Sequence, residues 1–220
     1  MRPIQHYWFI FCCFGHLWTF SQYTESDWKD RDGWMHVGEL FELAEIGVGD
    51  HVADLGCNEG YLSFHLSDQV GLQGKVYAVD VSASRLEVLR AHIKERNTTN
   101  IVPVHSDEDD PKLRDRNLDA VMVVDTYHEM KEYKTILRHL KKALKPNGRL
   151  LILEKLKGYM KGEDRTAQSN AHTLALKFVK KELEEAGFQV VVEISEFGMW
   201  NHEADKQMWV LVAKPIVTDH

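Results

Sequence analysis

The residues Val52-Ala53-Asp54-Leu55-Gly56-Cys57-Asn58-Glu59-Gly60 constrain the fold of this chain more than any others. A short apolar run ends in an acid, passes two glycines, and gives way to a stretch with helical spacing. This reads as a buried strand turning sharply into a helix, since glycine lacks the Cβ that would block both the turn and the approach of a ligand to the backbone. Lys75-Val76-Tyr77-Ala78-Val79-Asp80 repeats the design, again apolar and again closed by an acid. Strands that alternate with helices demand a parallel sheet covered on both faces and joined by right-handed crossovers.

The rest of the chain continues that alternation. Val37, Leu40, Phe41 and Ala44 form an apolar stripe predicting a helix over 35–46. Strands are expected at 51–55, 76–79, 101–104, 118–124 and 149–153, with helices running to Leu66, from the N-cap Ser82, and over 131–144. A polar loop at 157–166 and a helix over 167–186 follow, then strands at 188–194 and 208–213 joined by a loop at 195–207. The reading is five strand-helix alternations and a terminal antiparallel pair. It predicts an α/β, Rossmann-like doubly wound sheet of seven mostly parallel strands, with an antiparallel C-terminal strand and helices on both faces. One domain is expected over 35–215, preceded by an apolar leader at 1–21 and a polar-aromatic entry segment at 22–34.

Composition excludes several classes. A formal charge of −7 offers no electrostatic footprint for nucleic acid. Lys134, Arg138, Lys141, Lys142, Lys145 and Arg149 read as a solvated helix face near a C-terminus, where cations complement the dipole. The three cysteines, Cys12, Cys13 and Cys57, form no C-x-x-C pair or Cys/His ligand spacing, so no metal is expected from the sequence. Cys57 suits tight packing in the glycine turn better than nucleophilic work.

Ligands of open α/β sheets bind outside the carboxyl ends of the strands. Here those ends present Asp54, Asp80, Asp107, Asp125 and Glu154, a set suited to a cationic ligand. An acid placed as Asp80 can accept ribose hydroxyls, which points to an adenosine-containing cofactor. A dinucleotide fingerprint would need small residues at three positions, and the chain offers Gly56, Asn58 and Tyr61. The pattern acid-x-G-x-G-x-G fits better, as Asp54, Gly56, Asn58 and Gly60, with one departure at Asn58 that asparagine's tolerance of positive φ accommodates. This resembles motif I of the class I S-adenosylmethionine-dependent methyltransferases. Leu144-Lys145-Pro146-Asn147-Gly148-Arg149-Leu150 and Ala186-Gly187-Phe188 are similar to the turns these enzymes carry before their fifth and sixth strands.

The resemblance implies S-adenosyl-L-methionine as cofactor and methyl transfer to a small-molecule acceptor. It implies that Asp54, Gly56, Asn58 and Gly60 hold the methionine moiety, Asp80 the ribose, Val81 the adenine and Asp107 its amino group. Asp125 would lie beside the reacting methyl. Within Val124-Asp125-Thr126-Tyr127-His128-Glu129-Met130, Tyr127 and His128 are expected to face that methyl. His128 reads as a proton acceptor or, equally, as a capping or packing residue; Asp125 and His128 are the catalytic candidates. His172 is a second histidine, read as structural or substrate-shaping. Aromatics at Phe197 and Trp200, with Met199, read as a lid or as a core plug. Two other readings stay open: a catalytically idle binder of S-adenosylmethionine or S-adenosylhomocysteine on the same fold, and a nicotinamide oxidoreductase, which Tyr61 disfavours.

The leader leaves localisation open. Residues 7–20 are nearly free of charge but fall short of the roughly 20 residues needed to span a bilayer. Thr19 and Ser21 would precede a signal-peptide cut ahead of Gln22. Export or membrane contact competes with a cytoplasmic location, where the cofactor is made.

Overall fold

The computed structural model describes residues 24–217; the leader, with Thr19 and Ser21, lies outside the described residues. The strands are β1 (His51–Leu55), β2 (Lys75–Asp80), β3 (Ile101–His105), β4 (Leu118–Val124), β5 (Leu144–Lys157), β6 (Phe188–Met199) and β7 (Lys206–Pro215). They form one sheet in the order β3-β2-β1-β4-β5-β7-β6. The first five are mutually parallel, and β7 runs antiparallel to both β5 and β6. The doubly wound, mostly parallel architecture predicted above is the one found.

Side chains alternate across the strands, so each strand feeds two cores. Val52, Val76, Met122 and Leu153 pack on one face with α2 (Val37–Leu43), α3 (Tyr61–Val70) and α4 (Ala83–Glu95). Ala53, Val79, Val121 and Val123 pack on the other with α5 (Tyr133–Ala143) and α7 (Leu176–Glu185). The entry segment joins the first core: α1 (Trp28–Asp32) sets Trp28 5.7 Å from the Phe64 ring. On α5, Lys134, Arg138 and Lys142 are exposed, as expected, but Lys145 and Arg149 belong to β5, and Arg149 is buried and paired with Glu45, so the solvated face covers only part of the basic run.

Three expectations need correction. No helix connects β3 to β4, so the strand-helix alternation is interrupted once. The helix expected over 167–186 is two, α6 (Arg165–Asn170) and α7. Buried polar side chains break it: Gln168 Oε1 accepts the Ala175 N–H at 2.8 Å, and the Thr173 hydroxyl donates to the Lys155 carbonyl at 2.7 Å while accepting the Lys157 N–H at 2.9 Å. The first of these bonds satisfies a backbone N–H that a continuous helix would pair, and the other two tie the bend to β5. β6 runs to Met199, so half of the expected loop is strand. Phe197 and Trp200 are buried, with Trp200 4.6 Å from the Trp34 ring, which makes them a core plug rather than a lid. Among the described residues, no helix is long and apolar enough to cross a membrane.

Candidate functional site

The sheet order reverses between β1 and β4, and a cavity of about 460 Å³ opens there, at the carboxyl ends of the strands. Asp54, Gly56, Asn58, Asp80, Val81, Asp107 and Asp125 line it, seven of the residues singled out from sequence. Gly60, His128 and Glu154 are not part of the lining.

The glycine turn works by absence of side chain. A Cβ at Gly56 (φ +84°) would lie 2.3 Å from Thr126, and one at Gly60 (φ +101°) would lie 2.4 Å from Leu89. Gly56 therefore lets the turn pack against the β4 loop at the cavity, whereas Gly60 serves the packing of α3 on α4. The turn does not present a row of ready N–H donors, contrary to the usual purpose of such turns. The N–H groups of Gly56 and Cys57 bond to the Val79 carbonyl at 2.8 and 3.1 Å, and Gly60 bonds to Cys57. The Asn58 N–H donates to Asp80 at 2.8 Å. Asn58 takes the left-handed conformation (φ 51°), as its tolerance of positive φ allows. Its side-chain oxygen is buried and has no hydrogen-bond partner among the described residues.

Asp54 is buried beneath this turn. Burial pushes its pKa up to about 6, against the hydrogen bond from Ser63 (2.6 Å) and the positive charge of Arg31. Arg31 comes from α1, lines the cavity and lies 4.4 Å from the Tyr61 ring centroid. Nothing in the local sequence marks it, because only the tertiary packing of the entry segment brings it there. Asp80 accepts a second N–H, from Ser82 at 2.8 Å. Val81 is 56% exposed, an apolar surface at the cavity mouth. Asp107 is exposed and paired with Lys112 at 2.5 Å. Cys57 is buried, and its thiol is held well above the usual range by burial and then by the charges of Asp54 and Asp80, so it stays protonated.

The β4 end is organised by two buried ion pairs. Asp125 is paired with Lys155, and the Lys155 ammonium also lies 4.4 Å from the Trp200 ring centroid. His128 is buried behind the cavity wall. Glu154 accepts its backbone N–H at 3.0 Å and its Nδ1 at 2.9 Å. Burial opposes charge on His128, but the attraction and hydrogen bond of Glu154, with Asp125 behind, outweigh it and raise the pKa. Glu154 therefore belongs to His128 and does not join the carboxylates that face the cavity. Tyr127 also departs from expectation: its hydroxyl turns away and donates to Glu182 at 2.9 Å. Lys155 and Glu129, which the sequence reading passed over, complete this end.

Residues 52–148 match the family model described as a methyltransferase domain. That match spans a little under half of the chain and takes in the glycine turn and strands β2 to β4. Among curated proteins, it is 31% identical over 126 residues to a demethylmenaquinone methyltransferase of Lactococcus lactis, covering 57% of this chain and 49% of that protein. It is 31% identical over 115 residues to an (S)-coclaurine N-methyltransferase of Thalictrum flavum, covering 52% and 31%. The chain thus spans about half or less of the length of the curated relatives it matches. Among solved structures, an S-adenosylmethionine-dependent methyltransferase of Aquifex aeolicus superposes with a TM-score of 0.71 at 24% identity, over 87% of this chain and 98% of that one. A [4+2]-cyclase superposes with a TM-score of 0.69 at 17% identity, over 86% and 81%. The methyltransferase domain fold therefore hosts more than one chemistry, and activity has to be argued from the site.

Proposed function

We propose that this chain is an S-adenosylmethionine-dependent methyltransferase acting on a small-molecule acceptor. One observation carries the reading: a cavity at the sheet's switch point, where only glycine at 56 lets the turn pack against Thr126, with Asp54 and Asp80 both in its lining. The residues present suit the cofactor. Asp54 matches its ammonium, the unpartnered Asn58 oxygen offers one more acceptor, Asp80 matches the ribose hydroxyls, and Val81 gives the adenine an apolar seat. Asp107 is assigned to the adenine amino group, and Gly60 supports the turn from behind. Bound there, S-adenosylmethionine supplies an electrophilic methyl group.

The protein's own contribution is chiefly alignment. Holding two reactants in line is worth roughly 7–11 kcal/mol in favourable cases. Asp125, neutralised by Lys155, shapes the acceptor end of the cavity. His128 acts through Nε2, the ring nitrogen that Glu154 leaves open, as the acceptor of a proton. The formal charge of −7 accords with an acceptor other than nucleic acid. The apolar leader at 1–21 is proposed as a membrane-contacting or export segment. Flotation of the full chain with anionic vesicles, lost on removal of those residues, is the expected result.

Calorimetric titration with S-adenosylhomocysteine tests the cofactor site. Asp80→Ala is expected to weaken binding by about 1–3 kcal/mol. It removes the ribose partner and also the two N–H acceptors that tie Asn58 and Ser82 into the turn. Wild-type affinity in that variant would refute the placement.

A further inference from the structure

Sequence spacing shows no metal motif, but the fold brings together three residues that no spacing rule links. His128 and Glu129 sit on the 3-10 turn Tyr127–Glu129 that follows β4. His172 sits in the bend between α6 and α7. One ligand atom from each lies within 4.8 Å of the other two. Glu129 Oε1 is 3.8 Å from His128 Nε2 and 3.7 Å from His172 Nδ1. Tetrahedral ligands at zinc distances of about 2.0–2.1 Å stand about 3.3 Å apart, so the two pairs that share Glu129 need to close by only about half an ångström, and the two histidines, with ring centroids 5.6 Å apart, draw together with them. Glu129 and His172 are exposed and have room to do so.

The supporting shell is already in place. A metal-binding histidine commonly donates its other ring N–H to a carboxylate, which fixes the tautomer and aims the free lone pair. Buried Glu154 does this for His128 Nδ1 at 2.9 Å, with the backbone N–H of the same residue as a second anchor. Nε2 is thereby aimed towards Glu129. A second grouping, Asp125, His128 and Glu154, also lies within ligand range. Its Asp125 is committed to Lys155 and its Glu154 to His128, so it is a shell rather than a ligand set.

We infer that His128, Glu129 and His172 form a site for a first-row divalent cation of the zinc class, at the acceptor end of the cavity. Two imidazoles and one carboxylate leave at least one coordination position open, as catalytic rather than structural sites do. Glu129 lines the cavity, so the open position is reached from the acceptor side. The site deepens the methyl-transfer reading and rests on it for its role. A hydroxyl or thiol acceptor ligated there releases its proton to solvent and keeps the freed lone pair towards the cavity. With a cation bound, His128 is a ligand; without one, its Nε2 is the proton acceptor.

The test is zinc titration of the untagged full chain against a chromophoric chelator, with cobalt(II) absorption as a spectroscopic check. One equivalent of zinc is expected to bind wild type. His172→Ala removes a ligand outright and should bind it at least about 100-fold more weakly, no less than the loss of an outer-shell partner can cost. The d–d band of bound cobalt should disappear in that variant. His172 is exposed, and an unchanged thermal melt confirms that the variant folds. Equal zinc affinity in wild type and variant would mean binding by other surface groups and would overturn the inference, as would no stoichiometric binding. S-adenosylhomocysteine affinity, measured in parallel, keeps the two readings apart. Cofactor binding without zinc sinks the metal site alone, and zinc binding without cofactor sinks the methyl-transfer reading and leaves the metal site standing.

Discussion

Replacing Glu154 with alanine is expected to destabilise the fold by about 3–5 kcal/mol, the cost of removing one partner from a buried ion pair. The side chain is fully buried, and its carboxylate satisfies both the backbone N–H and Nδ1 of His128. Alanine leaves an imidazole in the core without its counter-charge, next to the ammonium of Lys155. Glu154→Gln keeps an acceptor for one of the two N–H groups but loses the charge, so its cost falls between wild type and alanine. The pH dependence has a definite sign. His128 has its pKa raised in the folded state, so its contribution to stability is complete below the unfolded value of 6.5 and is lost as pH rises through the folded value. The gap between wild type and Glu154→Ala in urea unfolding should therefore be widest below that point and narrow above it. A gap under about 1 kcal/mol at acid pH, the size of an ordinary neutral hydrogen bond, would show that the pair does not support this end of the site.

Asp54→Asn should do the reverse, stabilising the protein while weakening cofactor binding. The Asp54 carboxyl, raised by burial from 3.8 to about 6, binds its proton more tightly in the folded state than in the unfolded one. Wild-type stability therefore falls as pH rises from about 4 to about 6, by about 3 kcal/mol in all, and the cost persists at neutral pH. Asparagine is isosteric and uncharged, so the variant escapes that cost. It should be more stable than wild type by up to about 3 kcal/mol at pH 7–8, with the difference vanishing near pH 4. Ligand binding runs the other way, because the ionised carboxylate is the partner proposed for the cofactor ammonium. Wild-type affinity for S-adenosylhomocysteine should rise with pH through about 6, and the variant should show weak binding with that pH dependence gone. Denaturation and calorimetry across pH 4–8 check both halves. A variant no more stable than wild type at neutral pH would show that Asp54 is better solvated than its surroundings imply.

Such a trade of stability for binding is common at functional sites, where a group is held in surroundings chosen for the ligand. It also explains why Asp54 and Glu154, acids on the two strands that flank β4, have opposite expected effects. Asp54 faces an open cavity with a hydroxyl and a distant guanidinium for company, whereas Glu154 is closed in by a histidine that meets both of its oxygens.

The sheet and the cofactor side of the cavity were legible in the amino-acid order. Apolar runs closed by Asp54, Asp80 and Asp125 are strands because their periodicity leaves no other way to bury them. Gly56 and Gly60 mark a sharp strand-to-helix turn because glycine takes positive φ without steric cost. These are local properties, governed by sterics and patterning within a few residues. The acceptor side was not legible. Arg31 enters the cavity from a helix outside the matched domain, Glu154 turns from the rim to His128, Trp200 becomes core, and His172 meets Glu129 across two elements separated in sequence. Each of those outcomes is a pairing between distant segments, decided by which partner neutralises a buried charge or fills a packing gap. Such choices depend on the assembled fold and leave no periodic trace in the chain.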